Sequence, residues 1–386
     1  MRVAILGDYP FDPSRIAGGV EAVIKYLVSE LKRFEDLDLH VVTVREEVRQ
    51  RRIHREGNLT IHYLPAAYRF ANVTFFAINK FRLLRELVDI KPNLIHAHVA
   101  GTYAETACMT RLPAVLTLHG IRHHEGWLQQ GWLNRLVRRP LITREEKASI
   151  RRARHIIAIS PYIQQEFGSL IRATVYPIEN PVADKFFKLP QEEGQNGQIL
   201  YVGRIDENKS VHHLIRAIAS VRDRVPTVQL WLAGGARNNC YLQFIQETVK
   251  GLGLEGIVHF LGPLDEDYLL ERYRRCALLV LPSRQETAPM VIQQAMATGK
   301  AVVATRVGGI PYLVNHEHTG LLVDYGDIDG LTDAVSRLLT DNTLRCKLGR
   351  AAREEARRRF SAADIARHTC QVYHTILEAS NRHYRK

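Results

Sequence analysis

The sequence predicts an α/β protein built from two doubly wound domains. The chain has 386 residues, more than one hydrophobic core usually spans. Short runs rich in β-branched residues alternate with amphipathic stretches along its length, which is typical of βαβ units around parallel sheets. Apolar residues make up 46% of the chain and charged residues 24%, as in ordinary globular proteins. Each half is therefore expected to bury a core of its own.

The first half has the predicted strands of one such domain, which we place at residues 1–180. The strands are predicted at residues 2–6, 39–44, 59–63, 94–97, 114–118, 155–159 and 174–176. Helical periodicity fills most of the gaps between them, including residues 20–34 and 73–88.

Turn-forming and charged residues interrupt the pattern after Asn180-Pro181 and again over residues 191–198, so residues 181–198 are predicted to be a linker. The series of strands then restarts, which predicts a second domain at residues 199–360. Its strands are predicted at residues 199–202, 229–233, 257–261, 278–281, 301–304 and 320–323. From residue 328 the chain is predicted to be helical.

The net charge and the hydropathy of the chain limit which partners and which cellular location are expected. The net charge of +12 favours an acidic partner, which is a nucleic acid, a nucleotide diphosphate or an anionic membrane surface. The N-terminal apolar run is too short for a signal peptide, and no stretch has the length of a membrane span. We therefore expect a cytoplasmic protein whose five cysteines are reduced.

The most informative segment is residues 282–305, where an apolar strand leads into a helix predicted to open at Pro289. Proline suits the first helical turn because its missing N–H has no partner there. Glu286 lies on the loop just before this helix N-terminus, which has free N–H groups for an anion. A carboxylate at that place can accept hydrogen bonds from sugar hydroxyls.

With its flanking motifs, this segment resembles the retaining GT-B glycosyltransferases of family 4. The motifs are the sequence at 282–305, Val-Gly-Gly-Ile-Pro at 307–311, Tyr-Val-Gly-Arg at 201–204 followed by Lys209, and Ala-Gly-Gly-Val at 17–20. The resemblance covers nearly the whole chain. It implies two Rossmann-like domains that face a central cleft, with acceptor on the N-terminal side, donor on the C-terminal side, and a C-terminal helix at 361–386 that crosses back to the first domain.

The resemblance also assigns donor-binding residues in the second half. In the family, the first of two glutamates spaced eight apart binds sugar hydroxyls and the second binds the ribose. The matching residues are Glu286 and Gln294, so the second position departs from the motif and lacks the charge that strengthens a hydrogen bond. Other donor-binding residues that the motifs imply are Gly203, Arg204, Lys209, Ala288, Pro289 and Met290.

Arg204 and Lys209 follow a strand that ends in Gly203, where the backbone can turn tightly and two cations can converge on one anion. By the resemblance they bind the donor diphosphate and offset the charge of the leaving group, as a metal does in other glycosyltransferases. The chain has no D-x-D pair, and His123 and His124 lack accompanying ligand spacing, so no metal is expected.

Candidate residues in the first half follow predicted strands. Gly18 and Gly19 precede a helix, where the missing side chains let backbone N–H groups approach a phosphate or the reacting sugar. His119 closes the strand at 114–118, at the edge of a parallel sheet where ligands bind. In the family a histidine at this place contacts the donor sugar near the reaction centre, so His119 joins Arg204, Lys209 and Glu286 as a predicted catalytic residue.

The resemblance implies retaining transfer of a sugar from a UDP- or GDP-linked donor to a hydroxyl of a glycan, a lipid-linked acceptor or a small molecule. No cofactor other than this co-substrate is expected. Two alternatives stay open: another GT-B chemistry, such as a nucleotide-sugar epimerase or a phosphorylase, or a protein that binds nucleotide or glycan without turnover.

Two cationic stretches predict a peripheral contact with the inner face of an anionic membrane. One, at residues 127–139, interleaves basic with aromatic residues, and the other consists of Arg49, Arg51, Arg52, His54 and Arg55. Such runs are also common on solvated surfaces. Nucleic acid is not expected as a partner, because no aromatic platform or helix-turn-helix pattern accompanies the charge.

Overall fold

The computed structural model describes residues 1–12, 15–16, 18–67, 76–121, 139–190, 194–195, 197–236 and 238–384. The chain divides into two compact units. Met1–Pro181 together with Ala362–Lys386 form one, here called the N-terminal domain, and Val182–Ser361 form the other, the C-terminal domain.

Fourteen strands are present in the described residues, eight in the first sheet and six in the second. The first sheet contains β1 Arg2–Leu6, β2 Asp38–Arg45, β3 Arg52–Glu56, β4 Leu59–Pro65, β5 Leu94–His98, β6 Ala114–Leu118, β7 His155–Ala158 and β8 Thr174–Pro177. The second contains β9 Gln198–Val202, β10 Gln229–Ala233, β11 Val258–Gly262, β12 Leu278–Leu281, β13 Ala301–Thr305 and β14 Gly320–Val323.

Most of the described helices lie between successive strands, and the last three follow the final strand. They are α1 Gly19–Leu31, α2 Ala77–Ile90, α3 Thr102–Met109, α4 Arg139–Arg152, α5 Pro161–Phe167, α6 Asp184–Lys188, α7 Val211–Arg224, α8 Asn239–Gly251, α9 Glu266–Arg275, α10 Met290–Ala297, α11 Ile328–Thr340, α12 Asn342–Phe360 and α13 Ala362–Tyr384. A short 3₁₀ turn spans Ile310–Tyr312.

The strand order identifies both domains as doubly wound. The N-terminal sheet has the order β3-β4-β2-β1-β5-β6-β7-β8, and the C-terminal sheet has the order β11-β10-β9-β12-β13-β14. The whole second sheet, and six consecutive strands of the first, have the Rossmann order 3-2-1-4-5-6. The predicted α/β class with two Rossmann-like domains is confirmed.

The core of the N-terminal domain lies on both faces of its sheet. Alternate residues of β1 join opposite clusters, with Val3 in one cluster and Ala4 in the other. Helix α13 contributes Ile365 and Tyr373 to the same cluster as Val3. Burial of its apolar residues therefore attaches the C-terminal helix to this domain.

Strand β3 is an element that the sequence analysis did not predict. Its residues are all exposed, and it pairs antiparallel with β4 so that Ile53 lies opposite His62. The residues of β3 belong to the cationic run interpreted above as a surface stretch. An exposed edge strand lacks the apolar alternation that reveals half-buried strands.

Part of the segment predicted to be a linker is a helix of the C-terminal domain. Phe186 and Phe187 of α6 are buried, which fixes this helix to the domain. The guanidinium of Arg353 on α12 donates to the carbonyl oxygens of Phe187 and, at 2.9 Å, Leu189. Five residues give too short a helical pattern to be recognised beside Pro181 and a polar run.

Candidate functional site

The first part of the site consists of two loops of the C-terminal domain that follow β9 and β12. Asn208 of the first loop donates its side-chain amide to the carbonyl of Gln285 in the second, at 3.1 Å. The backbone N–H of Arg284 donates in return to the carbonyl of Asn208, at 2.7 Å. These bonds fix the two loops to each other at the carboxyl edge of the parallel sheet, where ligands of such folds bind.

The two loops bring Lys209 and Glu286 into direct contact. The Lys209 ammonium donates to Oε1 of Glu286, and the hydroxyl of Ser283 donates to the same oxygen at 2.7 Å. The Glu286 side chain is only 10% exposed. Two donors therefore orient a carboxylate that is largely shielded from solvent.

Arg204 lies on the same loop as Lys209 and is more open to solvent, since its side chain is 48% exposed. Its Nε donates to Oδ2 of Asp206 at 2.9 Å, and the other carboxylate oxygen accepts from the backbone N–H of Lys209 at 3.1 Å. Asp206 thus positions both predicted diphosphate ligands. The sequence analysis missed it, although an acidic residue between two predicted anion-binding cations was a usable signal.

Glycines allow the close backbone contacts below this loop. Gly203 and Gly234 have φ values of +153° and +148°, which side chains rarely allow. A Cβ on Gly234 would lie 1.9 Å from the carbonyl oxygen of Gly203. The hydroxyl of Tyr201 donates to the carbonyl oxygen of Arg204 at 2.5 Å and so stabilises the turn.

A third loop, after β13, supports Glu286 from its backbone. The N–H of Gly309 donates to the carbonyl oxygen of Glu286 at 2.9 Å. Gly308 has φ +52°, and a Cβ at that residue would lie 2.0 Å from the same oxygen. Only glycine permits this approach, which explains physically why Val-Gly-Gly accompanies the Glu286 segment.

Helix α10 begins at Met290, one residue later than the sequence predicted, with Pro289 directly before it. The first N–H groups of a helix have no partner within the helix and carry its positive end. Ala288 and Met290 are both buried in this turn. The helix N-terminus therefore follows closely after Glu286 and adds to the positive potential from Arg204 and Lys209.

Gln294 lies one turn further along α10 and is 5% exposed. Its Oε1 accepts a hydrogen bond from the hydroxyl of Tyr273 at 3.2 Å. Tyr273 is fully buried and also contacts the carbonyl of Val291 at 3.1 Å. The amide at the predicted ribose position is thus held by a neighbour that the sequence analysis did not identify, and its contact with ribose stays a prediction.

In the N-terminal domain, His119 follows β6 and belongs to a row of histidines. Its Nε2 lies 2.7 Å from Nδ1 of His98, and the two rings stack with centroids 5.0 Å apart. Burial lowers the pKa of His119 to about 4, against the opposing effect of a hydrogen bond with Asn180. The imidazole is therefore neutral at pH 7.

His96 extends the row toward the C-terminal helix. Its Nδ1 lies 2.7 Å from the hydroxyl of Tyr373 on α13, and its Nε2 lies 2.7 Å from Oγ1 of Thr117. The ring centroids of His96 and His98 are 4.1 Å apart, because alternate residues of β5 point to the same face. The sequence analysis missed this pair, which the His-x-His pattern at the end of a strand could have revealed.

The glycine turn after β1 is open. Gly18 is extended and precedes α1, and Gly19 is the first residue of that helix. Among the described residues other than its chain neighbours, no heavy atom lies within 4 Å of a Cβ built on Gly18, and both glycines are exposed. They lie at a helix N-terminus, where backbone N–H groups can meet an anion. Ala17, the first residue of the predicted motif, lies outside the described residues.

Several other predictions concern residues that the structure does not describe, namely His123, His124 and the basic aromatic stretch up to residue 138. In the second cationic run, Arg51 is paired, since its guanidinium donates twice to Glu86 at 2.8 and 2.7 Å. In the described part of the chain, no group of three His, Cys, Asp or Glu side chains is arranged to hold a metal. None of the described helices is long and apolar enough to cross a membrane.

The structure thus brings Arg204, Lys209 and Glu286 together in the C-terminal domain, with Gln294 on the adjoining helix. His119 belongs to the N-terminal domain, as do Gly18 and Gly19. In each domain the predicted residues lie at the carboxyl edge of the parallel sheet, which the βαβ pattern of the sequence implied.

Comparison with known proteins gives matches in both domains. The profile of the family described as "Glycosyl transferases group 1" matches residues 182–355, and that of "Glycosyltransferase Family 4" matches residues 17–185. A glycogen synthase from Mycobacterium tuberculosis is 29% identical over 293 residues, which are 73% of this chain and 69% of the relative.

Solved structures show the same fold. Sucrose-phosphate synthase from Thermosynechococcus elongatus aligns with a TM-score of 0.83 over 98% of this chain and 99% of its own, at 23% identity. HepE from Anabaena, in complex with UDP-glucose, aligns with a TM-score of 0.75 over 97% of this chain and 100% of its own, at 21% identity. With both domains matched, the chain belongs to the group 1, family 4 glycosyltransferases and has their GT-B fold.

Proposed function

We propose that this glycosyltransferase takes a sugar from a UDP- or GDP-linked donor and transfers it, with retention of anomeric configuration and without a metal, to a hydroxyl group. The observation that carries the proposal is the cluster of Arg204, Lys209 and Glu286 before the N-terminus of α10. Two cations and a helix N-terminus suit a diphosphate, and a fixed carboxylate suits sugar hydroxyls.

The transfer step follows from these roles. The bond between the anomeric carbon and the diphosphate oxygen breaks, and the acceptor oxygen forms a bond on the same face of the sugar. The acceptor proton passes to the leaving diphosphate, so no side chain acts as a nucleophile. Arg204 and Lys209 stabilise the negative charge that grows on the diphosphate, which is the role that a metal ion has elsewhere.

His119 has a complementary role in this proposal. Positive charge develops at the anomeric carbon as the bond to the leaving group lengthens. Because burial lowers the pKa of His119 to about 4, the ring is uncharged at pH 7 and does not repel that charge. A neutral imidazole donates one hydrogen bond, so donation to a sugar hydroxyl or to the departing oxygen would replace its present contact with His98 or Asn180.

The similar proteins support the donor class and leave the acceptor open. UDP-glucose is bound in the HepE structure, and the other two similar proteins are a glycogen synthase and a sucrose-phosphate synthase. We accordingly propose a glycan, a small molecule or a lipid-linked molecule as acceptor. Nucleic acid has no place in this reaction.

Peripheral attachment to an anionic membrane is a separate proposal that rests on the basic and aromatic sequence at residues 127–139. Each basic residue near such a surface contributes about 1 kcal/mol. Co-sedimentation with phosphatidylglycerol vesicles at moderate salt tests it. If the protein stays in the supernatant with every vesicle, the membrane proposal is contradicted and only soluble acceptors remain.

The test of function is product analysis with UDP- and GDP-linked sugars, with and without candidate acceptors, in the presence of EDTA. The proposal predicts transfer that continues in EDTA and an α-anomeric product from an α-linked donor. Interconversion of the donor sugar without acceptor would indicate an epimerase, and phosphate-dependent cleavage of a glycan a phosphorylase. Donor binding without turnover would indicate a non-catalytic binding protein.

A further inference from the structure

A partly open cavity lies in the C-terminal domain, and the segment after β13 that supports Glu286 forms part of its wall. Its volume is about 660 Å³. Its walls come from the segment after β13, the 3₁₀ turn and the residues that follow it, β14, and the end of α12. The side chains that give it its character are Arg306, Tyr312, His316, Glu355, Arg358 and Arg359.

The charge of this cavity is positive. Three guanidinium groups line it, whereas Glu355 is the only carboxylate among its lining residues. Arg358 donates to one oxygen of Glu355 at 2.6 Å, and Arg359 donates to the other at 3.2 Å. One carboxylate is thus shared by two arginines. The three arginines, with Glu355 and with Asp324 beside Arg306, leave a net charge of +1.

Arg359 forms the fixed base of the cavity. Its second terminal nitrogen donates to the carbonyl of Tyr312 at 2.8 Å, and its guanidinium lies 4.9 Å from the centre of the Phe360 ring. These contacts hold the group in one place. Arg359 therefore contributes a fixed positive charge to the cavity and does not turn toward a ligand as a hydrogen-bond donor.

Arg306 and Arg358 are the residues that can reorient toward a ligand. Their side chains are 47% and 75% exposed. The carboxylate of Asp324 lies 3.7 Å from Nε of Arg306, which is too far for a hydrogen bond. The two side chains line the cavity from different elements, the segment after β13 and the end of α12, so both are available to one anion in the cavity.

His316 supplies a further donor. Its Nδ1 accepts a hydrogen bond from the backbone N–H of Leu322 at 3.0 Å. An imidazole that accepts at Nδ1 carries its proton on Nε2. The ring can therefore donate from Nε2 to a ligand.

We propose that this cavity binds a phosphorylated small molecule, with the phosphate between Arg306 and Arg358 and the organic part in the remaining volume. Guanidinium groups match phosphate oxygens in pairs, and a net positive, partly enclosed site favours a dianion. A phosphate ion alone fills only a small part of 660 Å³. Apolar walls from Pro311, Leu313 and Val314 suit a carbon skeleton attached to it.

The cavity is connected to Glu286 through one short segment. Arg306 begins this segment and Tyr312 ends it, and between them Gly308 and Gly309 pack on the carbonyl of Glu286. If ligand binding moves this segment, the movement therefore also shifts Glu286, the predicted ligand of the donor sugar. If the donor site is as proposed, the two ligands change each other's affinity by the same factor. Binding to the cavity itself does not depend on the proposed function.

The experiment titrates glycerol 3-phosphate and a hexose 6-phosphate into the whole protein by calorimetry, with inorganic phosphate for comparison. Saturating UDP covers the donor diphosphate site during these titrations. A parallel series uses the Arg204→Gln, Lys209→Gln double variant, which removes that site without relying on UDP. We expect the organic phosphates to bind under both conditions.

The variants Arg306→Gln and Arg358→Gln should each raise the dissociation constant at least about tenfold, since a charge-assisted hydrogen bond is lost. Arg306→Lys should give an intermediate loss because charge remains without the planar fork. Arg350→Gln is the matched control, an exposed arginine on α12 that does not line the cavity. Thermal melts of all four variants report whether they are folded.

Two results would overturn the proposal: no binding of any organic phosphate to wild-type protein, or equal binding in wild type, Arg306→Gln and Arg358→Gln. A turnover assay then distinguishes the source of the ligand. A phosphate compound that is glycosylated is an acceptor, and one that changes the rate without being consumed is an effector. Either result supports the site only together with weaker binding in Arg306→Gln and Arg358→Gln. A glycosylated compound whose binding is unchanged in both variants occupies an acceptor site elsewhere and contradicts the proposal.

Discussion

The ammonium of Lys209 and the carboxylate of Glu286 form an ion pair, which Ser283 completes by donating to the same carboxylate oxygen. The two residues that the sequence assigns to different parts of the donor, diphosphate and sugar, therefore neutralise each other in this structure. If the donor site is as proposed, a bound diphosphate competes with Glu286 for Lys209. Sugar hydroxyls can then take the place of Lys209 as hydrogen-bond donors to Glu286.

The variant Glu286→Gln tests this competition. Loss of the carboxylate releases Lys209 from its pair, so free nucleotide diphosphate should bind more tightly, by about 1 kcal/mol or roughly fivefold. The nucleotide sugar should lose affinity relative to the free nucleotide, because an amide accepts more weakly than a carboxylate. Calorimetry with the nucleotide and then its sugar conjugate separates the two effects. Weaker binding of the free nucleotide would contradict the competition.

Arg204→Gln should reduce the rate of transfer much more than it reduces stability. The side chain is half exposed, and it is proposed to meet charge that grows in the transition state. Loss of such a contact costs about 3 kcal/mol, or roughly two decades in kcat. Arg224→Gln, an exposed residue on α7 with an ion pair to Asp333, serves as the control. Equal rates in the two variants would remove Arg204 from the diphosphate site.

Gln294→Glu tests the predicted ribose contact. If ribose hydroxyls lie against this residue, restoring the carboxylate should tighten nucleotide diphosphate binding by about 1 kcal/mol, a factor of roughly five, and leave sugar selectivity unchanged. Because the residue is almost fully buried, the charge should also lower the melting temperature. Calorimetry and thermal melts measure both. Unchanged or weaker nucleotide binding would mean that residue 294 does not meet the ribose.

The histidine row predicts a loss of stability in mild acid. Burial lowers the pKa of His119 to about 4 and that of His96 to about 3, while both titrate near 6.5 in the unfolded chain. Between pH 6.5 and pH 4 the unfolded state binds more protons, so the free energy of unfolding falls as the pH falls.

Each such group contributes up to roughly 1.4 kcal/mol per pH unit in this window. Urea unfolding at several pH values measures the slope of the free energy of unfolding against pH. His119→Asn should reduce this slope by up to the contribution of one bound proton. Carboxylates with lowered pKa, such as Glu86 at about 2, act at more acidic pH and do not account for this window. A slope that is the same in wild type and variant would contradict the buried, neutral state of His119.

Sequence patterns predicted most strands of both sheets because parallel strands buried on two faces are nearly continuous apolar runs. Residues 114–118, 229–233, 278–281 and 320–323 coincide with β6, β10, β12 and β14. Strand β3 escaped prediction because its polar residues form an exposed edge. Helix α6 escaped because two buried phenylalanines in a five-residue helix have no periodicity to detect.

The placement of the candidate site residues was predictable where each of them lies on the loop after a predicted strand. Glu286, Arg204 and Lys209 follow predicted strands, and the topology of parallel sheets puts strand ends at one edge. The positioning contacts were missed. For Asp206 the only signal was its place between two predicted anion-binding cations, and Tyr273 reaches Gln294 from another helix, which no local pattern reveals. The link from Tyr373 to His96 spans most of the chain and depends on where α13 packs.

The central claim is that the C-terminal domain binds a nucleotide diphosphate through Lys209, and calorimetric titration of UDP and GDP into wild type and Lys209→Gln tests it most directly. The account predicts that one of the two nucleotides binds wild-type protein and that the substitution raises its dissociation constant at least about tenfold, because a charge-assisted contact is worth about 1.5–3 kcal/mol. The melting temperature should fall modestly, because Glu286 keeps Ser283 as a donor but loses its ion-pair partner, while the protein stays folded. Equal affinity in the two proteins, or no binding of either nucleotide to wild type, would contradict it.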